Sequence, residues 1–245
     1  MSSLPNKPEP AQLGGLLTRY QIFLAGAFLI AWVLAAIHPV YPHDWLLENY
    51  LVFIFVPLIV ILARYFRLSN LSYGLITIFM ILHVIGSHYT YAEVPFGYTL
   101  QRWFGAERNM YDRLVHFSFG FLLAYPVREV FVRLAKVKGF WGFYLPFDVT
   151  MSFSAAYEII EWLAARVVDP SAGLAFLGSQ GDIWDAQKDM ISAGTEALIA
   201  MGIIVIFNVI YNPRFGSEMR ESFRIPAGDT PMGEVKLQEW MGKKR

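Results

Sequence analysis

Apolar residues along this chain fall into long, nearly uninterrupted runs, and short polar or proline-broken connectors separate them. Six runs can be marked: Tyr20 to Ile37, Leu46 to about Phe66, Leu71 to about Ser87, Asp112 to about Leu134, Phe143 to Val167, and Asp185 to Tyr211. A helix of about 20 apolar residues matches the hydrocarbon thickness of a bilayer. The pattern therefore predicts an all-α fold, a polytopic membrane helix bundle with six transmembrane helices. Three segments follow: a tail over residues 1–19, a membrane domain over 20–211 and a second tail over 212–245. The first run is longer than the apolar part of a usual secretory signal, and no clear small-x-small cleavage site follows it, so it is read as an uncleaved anchor. Pro57 and Pro126 mark expected kinks in the second and fourth runs.

The connectors carry their own expectations. Tyr89 to Asn109, with Pro95-Phe-Gly-Tyr98 and Trp103-Phe104, reads as a loop in the headgroup region, part of an aromatic belt and a candidate lid. Between Asp169 and Gly181, the stretch Gly173-Leu-Ala-Phe-Leu-Gly178 is too apolar for a solvated loop and reads as a re-entrant segment. Near the end of the chain, Val235 to Met241 is expected to lie on the membrane surface.

Charge fixes an orientation. Six spans put Lys7, Arg19, Arg64, Arg67, Arg128, Arg133, Lys136, Lys138 and all basic residues from Arg214 onward on one side, fifteen of the 20 Lys and Arg. By the positive-inside rule that side, with both termini, is cytoplasmic. Composition agrees with a membrane protein: 56% hydrophobic, 16% charged and a mean hydropathy of +0.41. A net charge of zero argues against a nucleic-acid partner. The chain has no cysteine, so any metal would be held by His and carboxylates.

The polar residues beside the spans share one level. His83 and His88 end the third run, Asp112 and His116 start the fourth, and Glu158 and Glu161 lie towards the outer end of the fifth. Asp182, Asp185, Asp189 and Glu196 descend into the sixth. The inner halves, Asp148 apart, read as nearly free of acids and histidines. Asp182, Asp185 and Asp189 fall at i, i+3 and i+7, Asp112 and His116 at i, i+4, and Glu158 and Glu161 at i, i+3, so each set shares a helix face. Charges at membrane depth cost about 2.5–3.5 kcal/mol each on insertion scales, so they turn inward and satisfy one another. Seven carboxylates cannot all be ionised without added positive charge. Either protons or a cation must supply it.

The chemistry this favours is a divalent metal site with His83, Asp112, His116, Glu158 and Asp189 as candidate ligands. Mixed imidazole and carboxylate donors suit Zn, Mn or Fe, and the carboxylate excess admits Mg or Ca. A metal-bound water would be the nucleophile, with Glu161 and Asp185 as candidate catalytic residues and Glu161 as the general base. A metal-dependent membrane hydrolase or transferase acting on a lipid or lipid-linked envelope substrate is the reading. The competing ones are an ion- or proton-coupled transporter and a non-catalytic scaffold. Residue by residue there are plainer roles: helix capping for Asp182 and Asn109, interhelical hydrogen bonds for His83 and His88, solvation for His38 and His43, and belt positions for Tyr157, Trp162 and Trp184.

Three phrases, Tyr111-Asp-Arg-Leu-Val-His116-Phe, Tyr157-Glu-Ile-Ile-Glu-Trp162 and Gly181-Asp-Ile-Trp-Asp-Ala-Gln-Lys-Asp-Met190, resemble those of the YjdF-like family of bacterial inner-membrane proteins. The resemblance implies a multi-span protein of the inner membrane and, more distantly, a VanZ-like membrane architecture. It implies no reaction and carries over no catalytic residue.

Overall fold

A computed structural model describes residues 18–167, 179–224 and 239–242. Every regular element among them is a helix. In chain order these are α1 (Arg19–Ala36), α2 (Pro42–Leu62), α3 (Asn70–Tyr89), α4 (Pro95–Phe104), α5 (Tyr111–Arg133), α6 (Trp141–Val167), α7 (Asp185–Tyr211) and α8 (Phe215–Glu221). The ends follow local chemistry. Thr18 and Gln21 form a reciprocal capping box before α1, Ser69 caps α3, and Pro42 and Pro95 stand in the first turns of α2 and α4, where a missing N–H costs nothing.

Five of these helices, α1, α2, α3, α5 and α7, are long and apolar enough to cross a membrane. The fifth sequence run, α6, is 27 residues long, but Asp148, Glu158, Glu161 and Arg166 dilute its apolar character. The surface explains the composition. Phe23 on α1 is 68% exposed and Ile54 on α2 is 69% exposed, among many aliphatic and aromatic side chains on the outside of the bundle. Such a surface would be a liability in water and matches hydrocarbon.

Helix α5 is the hub. It packs on α3, α6 and α7, while α1 and α2 lean on α3 and α4 rests against the start of α5. The α5·α7 seam is made of small residues, with Ala124, Ala193 and Ala197 fully buried. A Cβ on Gly120 would fall on the backbone carbonyl oxygen of Ala193. Small residues here let two backbones touch, as helix association within lipid requires.

Two expectations change. The stretch expected as an aromatic loop contains α4, a ten-residue helix closed by Gly105 in the left-handed region at φ +61. Trp103 and Phe104 at its end are 70% and 72% exposed, so the exposed aromatics expected in a loop sit on a helix. The half of the bundle away from the polar cluster, expected to be nearly free of acids, is not. Glu129, near the end of α5, is buried and accepts from Ser69 N and Ser69 Oγ at 2.8 Å, from Ser72 Oγ, and from Arg133. The stretch expected to be re-entrant, 173–178, lies outside the described residues, as does 235–238 of the expected surface segment, whose remaining residues, 239–241, are helical and exposed. The chain leaving α7 turns back on the bundle, where Ser222 Oγ accepts from Phe140 N and Ser222 O from Trp141 Nε1, both at 2.9 Å.

Candidate functional site

The polar side chains gather at the end of the bundle where α5 and α7 begin. Met110 and Trp184 are the N-cap residues of these helices, and neither caps with its side chain. The turns before them do that work instead: Asn109 Oδ1 accepts from Tyr111 N at 2.9 Å, and Asp182 Oδ1 accepts from Trp184 N at 3.1 Å. The two turns are also tied to each other. Asn109 N donates to Gln180 Oε1 at 2.9 Å and Gln180 Nε2 donates back to Asn109 O at 3.2 Å. Arg108 Nη1 reaches Ser179 O at 3.4 Å.

Two arginines hold the carboxylates. Arg108 pairs with Asp112 at 3.0 Å and with Asp185; Arg113 pairs with Asp185 at 2.6 Å, with Asp182 at 3.4 Å and with Asp189. Lys188 Nζ lies 2.6 Å from Asp182 Oδ2 and, as the foremost cause, holds the Asp182 carboxyl below the ordinary range. Arg113 does not pair with its chain neighbour Asp112. The structure turns it across to α7 instead.

Beneath the arginines sits a smaller group. One ligand atom each from Asp112, His116 and Asp189 lie within 4.8 Å of one another. His116 Nε2 is 3.5 Å from Asp112 Oδ1 and 3.8 Å from Glu158 Oε1, a buried oxygen with no hydrogen-bond partner. Three donors at that spacing share a point about 2.8 Å from each at most, against ~2.0–2.2 Å for zinc-type and ~2.3–2.6 Å for calcium-type ligation. A contraction of less than an ångström closes the set. The donor types fit a borderline or hard divalent cation.

Glu161 is buried on α6, within electrostatic reach of Glu158, Glu48, Asp112 and Asp189. Asp185, the other expected catalytic residue, is buried with Oδ1 between both arginines. Of the five expected ligands, Asp112, His116, Glu158 and Asp189 are brought together, and His83 is not. His83 Nε2 faces the carbonyl oxygen of Glu48 at 3.1 Å, and a carbonyl can only accept, so Nε2 carries the proton. Nδ1 then accepts from Tyr91 OH at 2.5 Å. No lone pair is left for a metal. His88 likewise donates from Nδ1 to Ala35 O at 3.0 Å. Both histidines join helices.

Two participants were missed. Glu48 is buried on α2 and accepts from Tyr157 OH at 2.9 Å, and the Tyr157 ring lies edge-on to His116, 6.4 Å between centroids. Tyr157 thus points inward rather than to the membrane belt. A lone Glu in an otherwise apolar run was the available signal. Arg108, four residues before Asp112, was the other. Among the described residues, Asp112, Glu158, Glu161, Asp182, Asp185, Asp189 and Glu48 meet three permanent cations here, Arg108, Arg113 and Lys188. The excess requires protons or a bound cation.

Helices apolar on the outside with a charged centre between them define a multi-pass integral membrane protein. The chain belongs to the family described as "Predicted membrane protein (DUF2238)", whose model matches residues 20–209. It is 41% identical over 178 residues to the inner membrane protein YjdF of Escherichia coli (strain K12), an alignment covering 71% of this chain and 85% of that relative. No solved structure matches the chain significantly. The chain is a multi-pass protein of the bacterial inner membrane.

Proposed function

We propose that this protein is a metal-dependent membrane enzyme whose centre binds one divalent cation through Asp112, His116 and Asp189, with Glu158 as a fourth donor. The observation that carries the reading is the convergence of those three ligand atoms within 4.8 Å, beside a buried and unpartnered Glu158 oxygen. The cation would balance part of the carboxylate excess and lower the pKa of a bound water towards ~7. Glu161, one turn from Glu158, is the candidate base for that water, and Asp185 holds the two arginines over the site. Zn, Mn, Fe or Mg fit the donors. The substrate class is a lipid or a lipid-linked envelope molecule, because the site lies at the end of the bundle and α4 presents Trp103 and Phe104 to the interface beside it.

The reading includes a topology: six spans, α6 among them, residues 1–19 and 212–245 as cytoplasmic tails, and the metal centre on the outer side. The positive-inside distribution of Lys and Arg supports it. The natural chain has no cysteine, so single cysteines at Gly105 and Gly216 test it directly. An impermeant maleimide should label the first from outside and the second only in broken cells.

Metal analysis of the purified protein tests the centre. About one equivalent of divalent metal is expected, falling by at least tenfold in His116→Ala and Asp189→Asn. A folded wild-type protein that takes up none of the four metals would sink the proposal. A second reading, an ion-coupled transporter, is favoured by Glu196, buried two turns below Asp189 with Oε2 unpartnered. It would show as substrate-independent cation or proton flux in vesicles that Glu196→Gln abolishes.

A further inference from the structure

At the opposite end of the bundle a cavity of about 310 Å³ opens between the start of α3 and the end of α5. Ser69, Tyr125, Arg128, Glu129, Val132 and Arg133 line it. Its charges do not cancel. Glu129 is fully engaged, with Ser69 and Ser72 as donors and Arg133 as its ion-pair partner. Arg133 also donates to Arg67 O at 2.9 Å and lies over the Phe66 ring at 4.9 Å. Arg128 is different. Its guanidinium lies 4.6 Å over the Phe143 ring, its Nε is buried with no hydrogen-bond partner, and no carboxylate pairs with it among the described residues. A half-buried guanidinium without a counter-charge costs free energy in a low-dielectric setting, most of all beside lipid.

We infer that this cavity is a phosphate-binding site, with Arg128 as its anchor and Arg133, Tyr125 and Ser69 around it. A guanidinium fork matches the paired oxygens of a phosphate, and the aromatic ring beneath Arg128 holds the fork flat without consuming its N–H donors. The volume suits a phosphate with its first substituents. The place suits one as well. Arg64, Arg67, Lys136 and Lys138 lie in the chain segments leading from α2 into α3 and from α5 into α6 at this end, a basic surface of the kind that attracts anionic lipid. The phosphate is supplied either by a phospholipid headgroup or by the free ion, and the site is independent of the metal centre.

Full-length protein in detergent is titrated with dioctanoyl phosphatidylglycerol and, separately, with inorganic phosphate, and binding is read by native mass spectrometry and by the shift in unfolding temperature. Arg128→Gln should weaken binding about five- to tenfold, and Arg128→Lys by less, since one basic side chain near a lipid phosphate contributes on that scale. Saturable binding of the lipid alone assigns a headgroup site, and equal response to inorganic phosphate assigns a free-ion site. Wild type that binds neither, or Arg128→Gln that binds like wild type, overturns the inference. Should Arg128→Gln not fold, Val132→Phe narrows the cavity without touching its charge. It should give a comparable loss, and unchanged binding in that variant also overturns the inference.

Discussion

Replacing Gly120 by Ala adds one methyl group at the point where α5 and α7 touch. That methyl would meet the Ala193 carbonyl oxygen well inside van der Waals contact, and a backbone atom cannot swing aside as a side chain could. The helices must separate. Overpacking of this kind costs about 1–3 kcal/mol, less the ~1 kcal/mol that Ala gains over Gly in a helix interior. The position also sets the site. Gly120 is one turn from His116 and Ala193 one turn from Asp189, on the same faces. Opening the seam by about an ångström removes the slack that the metal group needs to close to ~2.0–2.6 Å. Gly120→Ala should therefore lose stability by a net ~0–2 kcal/mol and metal affinity by at least tenfold, although no ligand is altered. Thermal unfolding in detergent and metal titration of the same preparation measure the two. Gly202→Ala, on α7 with nothing near its Cβ, is the control and should be neutral or stabilising by ~0.5–1 kcal/mol. If Gly120→Ala binds metal as wild type does, the coupling of seam to site is refuted.

Arg113→Ala would leave buried Asp189 without its cationic partner and Asp185 with Arg108 alone, and removing one partner from such a buried group costs about 3–5 kcal/mol. Adding Asp189→Asn should recover part of it, measured as a coupling energy by denaturation of the four proteins; a loss below 1 kcal/mol for Arg113→Ala alone would contradict the clamp. Asp182 gives a pH effect. Lys188 depresses its folded pKa below the unfolded value of ~3.9, so its contribution is full above about pH 4 and fades as pH falls through the folded value. Denaturation at pH 5 and pH 3 should show Asp182→Asn losing less between the two than wild type, and equal losses would contradict the pairing.

Much of this was readable from the chain. The boundaries of α7, Asp185 and Tyr211, coincide with those expected, because polar residues stop where an apolar run starts and Asn212-Pro213 ends it. The i, i+4 spacing put Asp112 and His116 on one face. What spacing cannot encode is a pairing between helices. Glu48 finds Tyr157 over a hundred positions away, and Arg113 turns to α7 rather than to its neighbour Asp112. For His83 spacing left two roles open, ligand or hydrogen-bonding link, and its partner Tyr91 returns to it only where Thr90 takes a left-handed conformation and reverses the chain. Helix α4 was hidden by its aromatics, yet Pro95 in its first turn and Gly105 past its end were sufficient signals.

The reciprocal amide contacts between Asn109 and Gln180 join the approaches to α5 and α7 through uncharged groups alone. Ionic links slacken with salt or acid; amides do not. The two helix starts can keep their register while the carboxylates below them gain or lose protons, so a change of charge in the cluster need not loosen its frame.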